Sequence, residues 1–166
     1  MDAPAPGRLD SINVSRGGVP KRAIAEAAIT AEGVEGDRQR DRRYHGGPDR
    51  AVTLFSTERI AALQAEGHPI AAGSTGENLT VSGIDWTRAT PGARFEIGDV
   101  RLEITRYATP CANITASFAG GDITRVGNKV HPGWSRVCAR VLMPGRVHVG
   151  DSVKLLDPTA EHGGAA

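Results

Sequence analysis

A chain of 166 residues with a formal charge of +1 is long enough to bury one core without disulfides or metal staples, and too evenly charged to gather nucleic acid. With 39% apolar residues no stretch reads as a membrane-crossing helix, and the run Met1 to Gly7 has neither the basic cluster nor the apolar centre of a secretory signal, so a cytoplasmic protein acting on a small molecule is expected. The 21 glycines and 10 prolines imply frequent tight turns, short strands and few long helices.

In chain order, Leu9 to Val14 and Arg22 to Ile29 are β-compatible, the second weakened by its alanines. Thr30 to Arg50 is a long polar loop broken by Gly33, Gly36, Gly46, Gly47 and Pro48, and a loop of that length inside a compact domain argues for function. Ala51 to Phe55 is an apolar strand. Ser56-Thr57-Glu58 then supplies an N-cap and an early acid for a short helix to about Glu66, stopped by Gly67 and Pro69.

After the polar loop Gly73 to Glu77, strands are expected at Asn78 to Val81, Ala93 to Ile97 and Val100 to Arg106, the last two joined by a tight hairpin at Gly98-Asp99. Ala112 to Ala119 fits one or two helical turns. The clearest strand is Arg136 to Met143, with Val137, Ala139, Val141 and Met143 on one face and Arg136, Cys138, Arg140 and Leu142 on the other. Arg146 to Val149 and Ser152 to Leu156 complete the set. One domain over 8–156 is expected between flexible ends at 1–7 and 157–166. The pattern is mainly β with a few short helices, which a barrel satisfies by removing exposed edges and which a sandwich would also accommodate.

The 20 cationic side chains are nearly all arginine, lysine occurring only at Lys21, Lys129 and Lys154; guanidinium grips anions bidentately, although genomic base composition explains the excess as simply. Cys111 and Cys138 have no CxxC spacing, so neither a zinc site nor a redox pair is indicated, and a structural disulfide is not expected in a reducing cytoplasm. Cys111 follows Pro110, which stiffens its approach and pushes Thr109 toward extended backbone, and a helical turn just after it would favour the thiolate, as would Arg106 if the fold brings it close. The thiolate attacks electrophiles and ligates soft metals. A buried, inert thiol is the competing reading for Cys111 and the preferred one for the mid-strand Cys138.

A second constellation is Gly36-Asp37-Arg38 with His45-Gly46-Gly47-Pro48-Asp49-Arg50. Successive glycine amides can form an anion nest, Arg50 can clamp a phosphate, and Asp49 and His45 can orient it; a solvated turn-rich loop is the alternative. The third is Thr75-Gly76-Glu77-Asn78, whose amide and carboxylate suit the edge of a heterocycle, or simply a turn.

Taken together, Gly36-Asp37-Arg38, Tyr44 to Val52, Gly76-Glu77-Asn78-Leu79, Pro110-Cys111, and Arg140-Val141 with Gly145, Val147 and Gly150-Asp151 resemble the MOSC pattern, named for the C-terminal domain of molybdenum cofactor sulfurase. The likeness is to the small stand-alone bacterial type and covers roughly residues 8–156. It implies a β-barrel like that of the pyruvate kinase barrel domain, with a groove for the molybdenum cofactor (molybdopterin). It implies that Cys111 ligates molybdenum or carries sulfane sulfur, and that Asp37, Arg38, His45, Gly46, Gly47, Asp49, Arg50, Glu77, Asn78, Thr109 and Arg140 bind the cofactor.

The resemblance further implies a pyridoxal phosphate-independent protein that reduces N-hydroxylated or N-oxygenated compounds in detoxification, or else a sulfur carrier or cofactor delivery module acting through a Cys111 persulfide. The sequence has no iron-sulfur cysteines, flavin motif or aminotransferase-like sulfurase domain, so an external flavin or iron-sulfur reductase, or a sulfur donor, is the expected partner. A non-catalytic barrel would instead seal Cys111 among apolar side chains.

Overall fold

The computed structural model describes residues 5–38 and 47–158. Its strands are β1 (Gly7–Val14), β2 (Arg22–Ile24), β3 (Glu26–Thr30), β4 (Gly33–Val34), β5 (Val52–Ser56), β6 (Leu79–Ser82), β7 (Arg94–Ile97), β8 (Val100–Tyr107), β9 (Val137–Met143), β10 (Gly145–His148) and β11 (Ser152–Leu156); helix α1 (Thr57–Ala65) links β5 to β6. Three expectations are refined. The stretch Arg22 to Ile29 divides into β2, which pairs with β1, and β3, which pairs with β10. The long loop contains β4 and a 3-10 turn at Pro48–Arg50, while His45 and Gly46 lie outside the described residues. The turns after Cys111 are 3-10, over Ala112–Ser117.

Seven strands close on themselves in the order β1-β11-β7-β8-β9-β5-β6, with β6 returning to β1. Closure rests on a short contact, Gly7 and Arg8 of β1 against Val153 and Ser152 of β11. It removes the two edges an open sheet would expose, which decides between the barrel and the sandwich. Every pair in the ring is antiparallel except β5 and β6, whose parallel register needs the crossover that α1 provides. The smaller sheet, β10-β3-β4, adds Ala27, Ile29, Val34 and Val147 to the same core.

The alternation of β9 is as its sequence requires at the end that matters: Val137 and Ala139 are fully buried in the core, against Leu54 and Val52 of β5. The opposite face carries Arg136, just before the strand, then Cys138, Arg140 and Leu142. On the other side, β8 departs from its simple pattern. Ile104 opposes Ala139 and Arg106 opposes Cys138, so Thr105 is the extra residue of a bulge. That bulge turns Arg106 out of the core register and onto the same face as Cys138. The Thr105 hydroxyl sits between the carbonyls of Asp49 and Cys138, which ties the Pro48–Arg50 turn to the sheet at that point.

At the start of α1, the Ser56 side chain accepts from the Arg59 N–H at 3.1 Å, as the N-cap reading predicted. The helix buries only Ile60 and Leu63, so the cap is a large share of what fixes it. Ser56→Ala is expected to lower unfolding free energy by about 1 kcal/mol, read as a shifted midpoint in urea at unchanged slope; an unchanged midpoint would show that the parallel β5–β6 pairing holds α1 without its cap.

Candidate functional site: a cationic cavity that contains Cys111

The core-averted faces of β5, β8 and β9 present Thr53, Arg106 and Cys138 in one row across the sheet. Above this row lies a cavity of about 150 Å³, closed by Val19 and Lys21, by Thr75 and Gly76, by Arg38 and Arg50, and by the segment from Ala108 to Ile114 that holds Cys111. Cys111 and Arg50 both line this cavity. Cys111 is half-buried, in extended backbone at φ −136° and ψ 168°, and it is not sealed among apolar side chains. Its neighbours are positioned by the sheet, since the Ala108 N–H donates to the Arg136 carbonyl at 2.9 Å.

Of the residues singled out from sequence, Arg38, Arg50, Thr109 and Cys111 line this cavity. Three others stand behind its wall. Asp37 accepts from Lys21 Nζ at 2.6 Å and from Asn78 Nδ2 at 2.8 Å, so it holds the lysine in place rather than facing the space itself. Asn78 is fully buried and also accepts from the Thr53 N–H through Oδ1 at 3.0 Å. Glu77, equally buried, accepts from Gly73 N–H, the Thr75 hydroxyl and the Thr80 hydroxyl.

The remaining three described residues are elsewhere. Gly47 borders a separate hollow with Gly36, Asp37, Arg38 and Pro48, and Asp49 is exposed, its carbonyl taken by Thr105. Arg140 is corrected by the fold. It lies two positions along β9 from Cys138 on the same face, beyond the loops that roof the cavity, and it pairs across the sheet with Glu103 of β8. The guanidinium that does enter the cavity from this strand is Arg136. The alternating pattern placed both arginines on one face; which end of the face is covered depends on long-range packing. Lys21 and Cys138 were not assigned to the site from sequence either, and Arg106 was named there only as a neighbour of Cys111 conditional on the fold. The bulge at Thr105 is what brings Arg106 there, and the local pattern carries no sign of it.

Burial shapes the charges. Arg136 is 6% exposed, and burial pulls its pKa down while the Cys138 and Cys111 sulfurs and Glu77 pull it up; starting from so high an ordinary value, the guanidinium stays charged. Burial pushes the Cys138 thiol up more strongly than Arg136, the Thr53 hydroxyl, Arg50 and Arg106 pull it down, so it holds its proton at neutral pH. Burial also raises Glu77, against the lowering effect of the Gly73 N–H, the Thr75 hydroxyl and Arg136. Among the described residues no three His, Cys, Asp or Glu side chains gather as a metal cluster, so a metal here would have Cys111 or Cys138 as its protein ligand and take the rest from elsewhere.

A MOSC domain model matches residues 41–154, and the chain belongs to the MOSC domain family. It is 30% identical over 141 residues to YflK of Bacillus subtilis, and 27% identical over 141 residues to YiiM of Escherichia coli. These alignments take in 84% and 82% of the chain but 63% and 62% of the two relatives, so the chain spans less than two thirds of either. The crystal structure of YiiM from Geobacillus stearothermophilus superposes with a TM-score of 0.68 at 21% identity, covering 92% of this chain and 76% of that one, which supports the fold.

Glu77 has a consequence for stability. Its folded pKa is raised above the ordinary 4.5, so on raising pH the unfolded chain releases this proton before the folded one does. Stability is then lost as pH climbs from the ordinary carboxylate range to the folded value, and stays lost above it. Glu77→Gln, which keeps an acceptor for Gly73 and can donate to Thr75, removes the effect. Urea unfolding from about pH 4 to about pH 8 is expected to show the variant gaining on wild type as pH rises; a constant difference would mean that Glu77 ionises normally inside the fold.

Proposed function

We propose that this chain binds the molybdenum cofactor and, supplied with electrons by an external flavin or iron-sulfur reductase, reduces N-hydroxylated or N-oxygenated compounds. The observation that carries this reading is the meeting of one reachable thiol, Cys111, with the guanidinium groups of Arg38, Arg50, Arg106 and Arg136 around a single cavity. A thiolate is the protein ligand that a soft metal prefers, and guanidinium is the side chain best suited to a phosphate. Donor set and charge thus both fit a molybdenum centre with an anionic tail. When bound, the cofactor supplies two-electron redox chemistry at molybdenum.

The chain's own contributions follow from its geometry. Cys111 would hold the metal from the loop side of the cavity, while Arg50 and Arg38 hold the anionic end and Lys21, neutralised by Asp37, closes the wall. Cys138 keeps its proton on Sγ beside Thr53 and so does not compete as a ligand. Removal of oxygen from an N-hydroxy compound takes two electrons and two protons and releases the amine and water. At about 150 Å³ the enclosed space is smaller than the roughly 300 Å³ at which pockets for whole small molecules begin, so pterin and substrate would extend out through its mouth.

A second reading, sulfur carriage on a Cys111 persulfide, is favoured by the same guanidinium groups, which would stabilise a persulfide anion. Molybdenum and pterin contents of protein from cofactor-producing cells separate the two. Cys111→Ser is expected to lose the metal, and Arg50→Ala to retain about tenfold less pterin, whereas Arg140→Ala retains the wild-type amount. Pterin retained equally by all three variants would count against the cavity as the cofactor site, and a sulfane sulfur on Cys111 without metal would favour carriage.

A further inference from the structure

Cys111 lies near the start of the long connection from β8 to β9, which runs from Ala108 to Arg136 with no strand and only short 3-10 turns. Its two ends meet, the Ala108 N–H donating to the Arg136 carbonyl at 2.9 Å. Between them the Cys111 carbonyl accepts from the Ile114 N–H at 3.2 Å, so the thiol goes where the turn over Ala112–Ser117 goes. What holds that turn against the barrel therefore decides where the sulfur sits.

The ties along the connection converge on α1 and the stretch just after it. Ser117 Oγ donates to Ser74 Oγ at 2.8 Å, and the Ala119 N–H donates to His68 Nδ1 at 3.0 Å, with the buried Phe118 ring edge-on to the imidazole. The firmest tie is Arg125. Its Nε and Nη2 donate to the two oxygens of Glu66 at 2.9 and 2.6 Å, and its guanidinium lies 4.1 Å from the centre of the Trp134 ring. The same ring receives Arg59 of α1 at 4.4 Å, and Arg59 Nε donates to the Gly133 carbonyl at 3.0 Å. A lysine could supply the charge, but only the planar fork meets both carboxylate oxygens and lies against the indole at once. The Arg125 hydrogen bonds pull the Glu66 carboxyl below its ordinary value, so the pair stays ionised at neutral pH.

Neither Arg125, Glu66 nor Trp134 lines the cavity. The stretch that leaves Glu66 does, since it runs through Ser74 into Thr75 and Gly76. We propose that Arg125 is a positioning residue for Cys111: through Glu66 and Trp134 it clasps the connection that carries the thiol to the stretch that ends in Thr75 and Gly76. Two walls of the cavity are then set by one contact outside it. That the thiol is positioned in this way does not depend on the cofactor reading; what it is positioned for does.

The test is alkylation of cofactor-free protein with iodoacetamide at fixed pH, with Cys111 and Cys138 followed separately by mass spectrometry. Cys138, 6% exposed in its strand, reports general unfolding, which would bare both thiols together. Arg125→Met is expected to speed alkylation of Cys111 by about fivefold, the joint worth of a partly exposed ion pair and a stacked cation, and to leave Cys138 unchanged. Glu66→Gln, a milder change, is expected to act in the same direction, and the double variant to match Arg125→Met because the two side chains act through one pair. Arg125→Lys, which keeps the charge and loses the fork, should fall between. Arg88→Met, which breaks the exposed pair with Asp157, should label as wild type does. An unchanged Cys111 rate in Arg125→Met and Glu66→Gln, or equal acceleration at both thiols, overturns the proposal. In protein from cofactor-producing cells, Arg125→Met is expected to keep its pterin and lose metal. Metal absent from every preparation, wild type included, would sink the cofactor reading and leave the alkylation result in place.

Discussion

Side chains alternate along a strand, so seating Val137 and Ala139 in the barrel core obliges Arg136 and Cys138 to face the other way. Core and site are thus two sides of one short segment of β9, held by β5 on one edge and β8 on the other. The position of every cavity group from the sheet follows. Thr53 is opposite Cys138 because Leu54 must oppose Val137, and Arg106 joins the row only because the Thr105 bulge breaks the register of β8. A slip of one residue in this pairing would exchange the cavity floor for core side chains.

Packing cations beside one another has to be offset, and the fold does so by depth. Lys21 and Asp37, both nearly inaccessible, form a hydrogen-bonded pair and contribute little net charge. Arg136 is placed with its inner edge on the Thr75 carbonyl and Glu77 within electrostatic reach. Arg38 and Arg106 remain largely exposed, where water and salt screen them. The field is therefore strongest at the closed end, around a group that cannot shed its charge, and the polar residues behind it serve to orient that group rather than to meet a ligand.

Much of the fold could be read from the chain because turns, caps and alternation are local. Gly98 at the β7–β8 hairpin, Ser56 at the start of α1 and the alternation of β9 each announce themselves within a few residues. Barrel closure does not, since it depends on Gly7 and Arg8 finding β11 at the far end of the sequence. The site divides along the same line. Cys111 and Arg50 stood out by context, Pro110 before one and the glycine-rich loop before the other, and both line the cavity. Asp37, Glu77 and Asn78 belong to the right region but act one layer back, because a buried carboxylate or amide spends its hydrogen bonds on the backbone around it. Arg136 and Arg140 share a face, and the placement of the covering loops separates a buried guanidinium, held by the Thr75 carbonyl, from an exposed one paired with the buried Glu103.

The two thiols of the cavity show how position assigns different chemistry to the same side chain. Cys138 is fixed in a strand, 6% exposed, and burial keeps it protonated in spite of three nearby guanidinium groups. Desolvation of a thiolate outweighs attraction that is shared with other anionic groups. Cys111 sits on a connecting segment, more open to solvent, with backbone that no ladder hydrogen bonds constrain and a proline before it that limits how far it can stray. A metal or sulfur ligand must be reachable and must give up its proton, and the strand cysteine meets neither condition. The sulfur more open to solvent is thus the one on the connecting segment, while the strand supplies the cationic floor beneath it.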